Sequence, residues 1–477
     1  MNQSKLINNT IIILIFQCLF IVAFYGNSFA TDSSFVRINN IKIEGNKRTK
    51  SFIIQRELDI KLGDSIPIDS LQKRLIANQQ RIFNTTLFGS VEVNYNRLTD
   101  LDIDVLIIVK ENWYVWAAPY ARLNDRNFNE WVDRGSDFSR LNYGAFIDHE
   151  NFLGRFQKLE FVFETGFTNR FTLRYNIPYI DKKGNHGLYT EFIYFNRTNL
   201  NYTTSNNQLD FSYKDFELEK HFEGKLKYRY RDGFYRFHYF ELGYNTTSVS
   251  DTVLALNKYY LAKQANDQQY ATLGYTFRYD RRDNVNFTLK GRALILDVRK
   301  LGLFTNDNFD SWQFKLAYAD YYPIKNKWYF NYIIKASAFT NANVPYNLLR
   351  GIGYEENILR GYDLFVINGS AYASGRLNLK KEIFRKNYQL KFIKWRQFNF
   401  LPINLFINGF VDAGYVYNKY PERIDNSLSN SRLTSYGIGI ELNSSYNSTI
   451  KFNLSRNTLN QTNFFINFQK DIWTRWY

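Results

Sequence analysis

Two short motifs contain charged side chains whose types and setting favour buried ion pairing. Arg360 stands directly before Gly361 and Tyr362, and Asp412 occupies a Phe-x-Asp-x-Gly pattern at 410–414. A glycine beside an arginine allows a tightly folded backbone that lets the guanidinium reach deep among its neighbours. A guanidinium that loses water needs an acceptor, because an unpaired desolvated charge is costly. The motif predicts a buried, paired Arg360, and an ordinary exposed loop arginine is the alternative.

A third charged motif lies at 279–291 and contains Asp280, Arg282, Asp283 and the later Gly291. It follows an alternating strand pattern, and aspartates at a strand end commonly bond nearby amides in a turn. Carboxylates packed among arginines stay ionised and paired, which is poor for acid–base catalysis. We therefore predict a structural turn here.

The residues needed for common catalytic chemistry are not arranged for it. The four histidines form no closely spaced ligand pair, so a zinc site has no support. Neither Gly-x-Ser-x-Gly nor a phosphate-binding Gly-x-x-x-x-Gly-Lys pattern is found. The sequence therefore predicts a protein that is not an enzyme, with no catalytic residues, no metal and no cofactor. The histidines are His149, His186, His221 and His238.

The composition limits the elements that can position these motifs. The 477-residue chain contains 8 Trp, 37 Tyr and 43 Phe, which is 18% aromatic, yet its mean hydropathy is only −0.42. A bundle of membrane helices would need several apolar runs of about 20 residues. Disordered chains are poor in aromatics. Aromatic residues that alternate with polar ones are typical of a membrane β-barrel.

The first thirty residues have the layout of a secretory signal. Lys5 precedes an apolar run over 11–25, and small residues follow up to Ala30. We predict a signal peptide over 1–30 with cleavage after Ala30, and a short membrane anchor is the alternative. The single cysteine, Cys18, lies inside the apolar run, so the predicted mature chain has no thiol chemistry and no disulfide.

The pattern of residues 31–111 predicts a small α+β domain. Alternating residues over 36–43 predict a strand, and two helical patterns follow, the second capped by Asp69 or Ser70. Two further strand patterns lie at 90–95 and 101–110, which gives the order β-α-α-β-β. Charges nearly balance in this segment, with 12 basic and 11 acidic residues.

Residues 112–477 predict a transmembrane β-barrel. Runs of about ten residues with period-2 alternation recur between turn signals, as at 159–164 and 226–231, the latter ending at Asp232-Gly233. A soluble sandwich is the alternative, but charged residues on one face and Phe, Tyr and Leu on the other suit a wall between lipid and water. With 48 basic and 34 acidic residues, this region has most of the +16 net charge.

Four motifs, in this order, resemble the BamA/TamA-type family of outer-membrane assembly and translocation proteins. They are Asn151-Phe152-Leu153-Gly154, the turn motif at 279–291, Leu359-Arg360-Gly361-Tyr362-Asp363, and Phe-x-Asp-x-Gly at 410–414. The resemblance implies a polypeptide-transport-associated (POTRA) domain at 31–111, followed by a barrel of about sixteen strands. It also implies that Arg360 enters the barrel and meets Asp412. Family members often have a second acid near 375–380, where this chain has Asn378, so Glu382 is a candidate substitute.

The first and last barrel strands form the predicted seam. The first runs through 113–123 and contains Pro119, which cannot donate to a ladder and prefers an edge. The last runs through 463–473, with Phe464, Ile466 and Phe468 on one face. In the resembled family, weak pairing at this seam lets a client strand add at the edge. The alternative for Pro119 is that it merely marks a strand beginning.

The resulting interpretation is a Gram-negative outer-membrane protein with its N-terminal domain in the periplasm. Its expected partners are unfolded outer-membrane or secreted clients, lipopolysaccharide, which the basic excess would attract, and accessory assembly proteins, but no nucleic acid. The expected function is protein assembly or translocation. A two-partner-secretion pore that exports one dedicated substrate is one alternative, and a passive porin-like barrel is another.

Overall fold

A computed structural model describes residues 34–123, 128–138, 141–354, 357–393, 400–444 and 449–467. The predicted signal peptide and Phe468 lie outside these described residues. The described chain begins with a small α+β domain, and a large antiparallel sheet follows it.

The N-terminal domain is a four-stranded sheet with two helices. Its elements are β1 (Phe35–Glu44), α1 (Ser51–Gln55), β2 (Ser65–Pro67), α2 (Ile68–Phe83), β3 (Phe88–Arg97) and β4 (Asp102–Glu111), in the sheet order β2-β1-β4-β3. The α2 helix is amphipathic and buries Leu71, Leu75 and Ile82 against strand residues such as Ile38 and Ile103. This apolar core stabilises the domain because a short helix needs a packed face.

Two local predictions in this domain are wrong. The chain forms a short extra strand, β2, which pairs antiparallel with β1 through Val36 and Ile66. Only three residues long and ended by Pro67, this strand has no periodic signal and depends on its contact with β1. The second helix starts at Ile68, and neither Asp69 nor Ser70 caps it, because Pro67 occupies the N-cap position and Ser70 instead donates to the Pro67 carbonyl at 2.9 Å.

The rest of the described chain forms a sixteen-stranded sheet, as the alternation predicts. All neighbouring strands pair antiparallel, and each follows its predecessor in sequence except where the hairpin of β10 and β11 intervenes. The sixteen strands are β5 (Val115–Leu123), β6 (Leu141–Phe152), β7 (Gln157–Gly166), β8 (Thr168–Ile177), β9 (His186–Arg197), β12 (Glu219–Asp232), β13 (Arg236–Val249), β14 (Asp267–Asp280), β15 (Gly291–Leu301), β16 (Ser311–Ile324), β17 (Trp328–Phe339), β18 (Ala371–Gln389), β19 (Phe400–Tyr417), β20 (Arg432–Asn443), β21 (Thr449–Asn457) and β22 (Thr462–Asn467). The hairpin of β10 (Asn199–Ser205) and β11 (Gln208–Tyr213) forms a separate two-stranded sheet.

The barrel wall has its polar side inside. On β12, Leu226 is 50% exposed and Tyr228 is 37% exposed, whereas Lys227 between them is 8% exposed. The buried charges pair across the interior, as Lys227 does with Glu241 at 3.1 Å and Lys380 with Glu441 at 2.8 Å. Period-2 alternation thus places aromatics outside, where lipid would solvate them, and ion pairs inside.

The two ends of the barrel differ. The near end, where β5 begins, contacts the N-terminal domain, whereas connections at the far end pack into an apolar cluster that includes Tyr260, Phe309 and Tyr346. Far-end connections contain the helices α3 (Phe128–Asp133) and α4 (Asp251–Leu256), the hairpin of β10 and β11, and 3-10 turns at Ala262–Gln264, Tyr346–Leu348 and Pro421–Arg423. Among the described residues, no helix is both long enough and apolar enough to cross a bilayer.

Candidate functional site

The 340–370 connection between β17 and β18 brings Arg360 against the inner wall of the barrel. Its guanidinium Nε donates to Asp412 Oδ2 at 2.8 Å, and Nη2 pairs with Asp412 Oδ1, which makes the contact bidentate. The Arg360 backbone N–H also donates to Oδ2, at 3.2 Å. Asp412 has no exposed area, so the pair is shielded from water. We refer to this contact as the loop lock.

Neighbouring strands complete the surroundings of the guanidinium. Arg360 Nη1 donates to Asn378 Oδ1 on β18 at 2.6 Å, and the guanidinium lies 3.8 Å from the centre of the Phe410 ring. Arg376 approaches Asp412 to 3.9 Å. The suggestion that Glu382 replaces the second acid is wrong, because Glu382 pairs with Arg385 at 2.6 Å and the Asn378 amide itself accepts from Arg360.

The residues after Arg360 bind the later strands. Gly361 has φ of +85°, and an added Cβ would lie 3.1 Å from Ser435 Cβ, so a side chain here would be both strained and crowded. The Gly361 carbonyl accepts from Asn457 Nδ2 at 2.8 Å. The fully buried Tyr362 donates its hydroxyl to the Thr434 carbonyl at 3.1 Å.

Asp363 extends the same loop to the last described strand. Asn467 Nδ2 on β22 donates to Asp363 Oδ1 at 3.0 Å, and Asp363 is fully buried. Sequence reasoning quoted Asp363 within its motif but assigned it no role, although an acid two residues beyond Gly361 was a usable signal. The loop therefore contacts five consecutive strands, β18 to β22, within four residues of chain.

Substitutions at Asn378 test whether Arg360 needs this second acceptor. Asn378→Asp is expected to keep or raise barrel stability, because it adds one negative charge beside Arg360 and Arg376. Asn378→Leu is expected to destabilise the barrel by about 1–3 kcal/mol, because it removes an acceptor from a desolvated guanidinium. The midpoint of urea unfolding in detergent micelles measures both effects. Equal midpoints for Asp and Leu would contradict the assignment.

The turn motif stabilises the near end of the barrel. Arg278 and Arg282 both donate to Asp280 Oδ2 at 2.6 Å. Asp283 Oδ1 accepts from the backbone N–H of Asn284 at 2.8 Å. Gly291 has φ of +105° and starts β15 directly after this turn. These contacts are those of a structural turn, and Asp280 is held among arginines.

An ion pair connects the N-terminal domain to the barrel. Glu57, just beyond α1, accepts from Arg231 Nη1 and Nη2 of β12, both at 2.7 Å. The two side chains are only 4% and 8% exposed. Arg81 of α2 donates to Tyr235 Oη at 3.1 Å, and the Arg56 guanidinium stacks over the Tyr179 ring. We call the pair of Glu57 and Arg231 the domain clasp. The sequence carried no signal for it, because the two residues are 174 positions apart.

Polar contacts hold two other barrel turns to the domain. Asn151, from the first family motif, donates to Thr49 Oγ1 at 2.9 Å, and Lys50 N–H donates to the Gly154 carbonyl at 2.9 Å. Asn84 Nδ2 donates to the Arg282 carbonyl at 2.9 Å. The motifs at 151–154 and 279–291 therefore both form part of the domain junction. A cavity of about 610 Å³ lies at this junction, lined by residues of both parts, including Arg81, Trp116, Arg229 and Tyr235.

The domain clasp makes docking dependent on pH only below the ordinary carboxyl pKa of 4.5. Burial alone would raise the pKa of Glu57, but the charge and hydrogen bonds of Arg231, with Arg56 and Arg81, lower it from 4.5 to about 2. A lowered carboxyl pKa stabilises the docked state above the ordinary pKa, and this stabilisation is lost as the pH falls towards 2.

We therefore expect domain docking to be constant from pH 8 to pH 5 and to weaken below about pH 4.5. The distance between spin labels on the domain and on the barrel rim measures docking. Glu57→Gln is the control, because a neutral amide should make docking weaker at every pH and independent of pH in this range. A docked fraction that falls between pH 8 and pH 5 would contradict the assignment.

The seam residues lie on the two end strands of the sheet. β5 contains Pro119 and pairs with β6, and β22 contains Phe464 and Ile466 and pairs with β21. Within the described residues, no ladder joins β5 to β22. Phe464 is 59% exposed on the outer face, and Ile466 is half-buried. The location of Pro119 on an end strand agrees with its lack of an N–H donor.

In the described part of the chain, no group of three or more His, Cys, Asp or Glu side chains converges. The charged groups around Arg360, Asp280 and Glu57 are instead paired with one another.

These features define a protein that joins a small α+β domain to a sixteen-stranded barrel with an arginine loop against its inner wall. The chain belongs to the Omp85 superfamily, since the model of the Omp85 superfamily domain matches residues 151–464. The POTRA model, described as a surface antigen variable number repeat, matches residues 36–112. The family, the fold class and the domain type predicted from the motifs are confirmed.

Two solved structures are similar to this chain at low sequence identity, and the first of them shows the same fold. CdiB from Escherichia coli has a TM-score of 0.54 at 10% identity, covering 90% of this chain and 75% of that chain. BamA from Haemophilus ducreyi lacking POTRA domains 1–3 has a TM-score of 0.49 at 18% identity, covering 90% of this chain and 83% of that chain. No curated protein matches the chain in sequence.

Proposed function

We propose that this protein assembles β-rich polypeptides into the outer membrane or exports polypeptides across it, without nucleotide hydrolysis. Membership of the Omp85 superfamily supports this function. The observation that carries it is a barrel sheet whose end strands, β5 and β22, form no ladder with each other within the described residues. Backbone donors and acceptors on an end strand are the groups with which a client strand can pair.

The proposed location follows from the same architecture. The barrel would lie in the outer membrane, the domain at 31–111 in the periplasm, and residues 1–30 would be a cleaved signal peptide. The aromatic outer face supports membrane insertion. The basic excess of the 112–477 region would favour contact with the phosphates of lipopolysaccharide.

The N-terminal domain would receive clients at β3. The sheet order leaves β3, ten residues long, at one edge, whereas the other edge is the three-residue β2. The longer edge can add an extended client strand by backbone hydrogen bonds. The domain clasp would then hold this edge close to the barrel rim. We also propose that the clients are unfolded outer-membrane or secreted proteins and that accessory assembly proteins assist. The proposed domain boundaries are 31–111 and 112–477.

Depletion of the protein, followed by quantification of the outer-membrane and secreted proteomes, tests the proposed function. Loss of many barrels would support general assembly. Loss of one secreted protein would support dedicated export. No change in either proteome would contradict both and favour a passive barrel. Complementation by the wild-type chain is the control, because it must restore whatever depletion removes.

A further inference from the structure

We propose that Asn129 is a latch that occupies the free edge of the last barrel strand until a client strand replaces it. This inference rests on the proposed function, because it specifies what must leave the seam before a client can pair there. Asn129 lies in α3, in the far-end connection between β5 and β6.

The latch contact reproduces one position of a β-ladder. Asn129 Nδ2 donates to the Ile466 carbonyl at 3.1 Å, and the Ile466 N–H donates to Asn129 Oδ1 at 3.0 Å. In an antiparallel pair, a residue exchanges these same two bonds with the residue opposite. The primary amide of asparagine carries one acceptor and two donors, so it can satisfy both backbone groups of an edge residue.

Contacts with the far-end hairpin hold α3 in this position. Arg134 pairs with Glu130 at 3.0 Å, and Glu130 is only 3% exposed. Arg134 Nη2 also donates to the Leu209 carbonyl of β11 at 2.9 Å, and its guanidinium lies 5.1 Å from the Phe211 ring centre. The latch is therefore anchored to the hairpin of β10 and β11.

The hairpin is in turn bonded to the 340–370 connection that carries Arg360, the arginine loop, and to the connection between β19 and β20. The Val366 N–H donates to the Asn207 carbonyl at 2.7 Å, and the Leu428 N–H donates to Asn207 Oδ1 at 2.9 Å. The same loop holds the residue next to Ile466, through Asp363 and Asn467. β22 is thus held by the loop through the Asn467 side chain, while the latch bonds the backbone groups of Ile466.

This arrangement allows a client strand to replace Asn129 at Ile466. A client strand offers one N–H and one carbonyl at each hydrogen-bonded position of an antiparallel ladder, the same groups that Asn129 supplies at Ile466. Replacement of the latch by a client therefore conserves the number of hydrogen bonds at this residue. The N–H and carbonyl of Ile466 are therefore hydrogen-bonded both before and after the exchange, which avoids a buried unpaired backbone group.

Hydrogen exchange at the Ile466 amide tests the latch without any client. In the full-length protein in micelles, Asn129→Ala is expected to speed exchange of this amide by roughly tenfold, because its acceptor is lost. Asn129→Asp keeps an acceptor for the N–H and should leave the amide more protected than in Asn129→Ala. Equal exchange in the wild type and both variants would overturn the latch.

A reversible cross-link tests whether the latch must leave. Asn129→Cys with Ile466→Cys would join α3 to β22 by a disulfide, and a disulfide is expected to abolish client insertion into liposomes until it is reduced. The matched control is Leu454→Cys with Phe464→Cys, because these residues already face each other on β21 and β22. The control disulfide should leave insertion unchanged.

The outcomes separate the latch from the proposed function. Full insertion by the oxidised 129–466 pair would overturn the latch while the proposed function stands. A wild-type protein that inserts no client would overturn the proposed assembly function. Faster hydrogen exchange of the Ile466 amide in Asn129→Ala would in that case still support the contact between Asn129 and Ile466. A large loss of folded barrel in Asn129→Ala would overturn the latch, because it would show a purely structural residue.

Discussion

Arg360→Ala is expected to remove most of the folded barrel from the outer membrane. The substitution leaves the fully buried Asp412 without the two bonds that the Arg360 guanidinium donates to it. Removing one partner of a buried ion pair costs about 3–5 kcal/mol, because the remaining charge stays desolvated. Detachment of the loop from β18 to β22 would add to this loss. The fraction of chain with heat-modifiable mobility on gels measures the folded barrel.

The control for this prediction is an arginine–aspartate ion pair that is exposed to water. Arg236 pairs with Asp232 at 2.9 Å across the turn between β12 and β13, with side chains 56% and 42% exposed. Arg236→Ala is expected to lose at most about 1 kcal/mol, because water screens such pairs. If Arg236→Ala and Arg360→Ala reduce the folded fraction equally, the loop lock has no special role.

Charge exchange separates pairing from packing at the same two positions. Asp412→Arg is expected to impair assembly strongly, because it places two guanidinium groups together inside the barrel. Addition of Arg360→Asp should partly restore the folded fraction, since opposite charges again face each other. Two single variants that both behave as wild type would show that no lock exists.

Glu57→Ala is expected to release the N-terminal domain from the barrel rim. The substitution leaves Arg231, only 8% exposed, without its carboxylate partner, at a cost of about 3–5 kcal/mol. The domain should stay folded, because its apolar core does not include Glu57. Spin-label distances from the domain to the barrel should broaden, and chymotrypsin should cleave faster after Trp113 or Tyr114, which lie between β4 and β5.

Asp102→Ala provides a matched control in the same domain. Asp102 pairs with Arg37 at 2.8 Å, but the arginine side chain is 64% exposed. This variant should dock like the wild type. The double substitution Glu57→Arg with Arg231→Glu should recover part of the docking. Unchanged spin-label distances in Glu57→Ala would refute the domain clasp, whatever the activity of the variant.

Local pattern was enough to predict the wall of the barrel. Alternation of Leu226, Lys227 and Tyr228 predicts which side chain faces inward, because successive strand residues point to opposite faces. The same reasoning missed β2, since three residues around Ile66 form a strand only through pairing with β1. Motif resemblance led to Arg360 and Asp412, but it did not show that Asn378 would accept from Arg360 in place of an acid.

Alternation, turn signals and charge in the chain alone therefore specified a small α+β domain, a membrane barrel and the motifs that mark its family. The tertiary structure was needed for the distant partners that no motif pairs: Arg231 for Glu57, Asn467 for Asp363, and Ile466 for Asn129. The physical reason is that strand periodicity is a property of neighbouring residues. Which charged or amide groups meet depends instead on the register of sixteen strands and on where the connecting loops fold back.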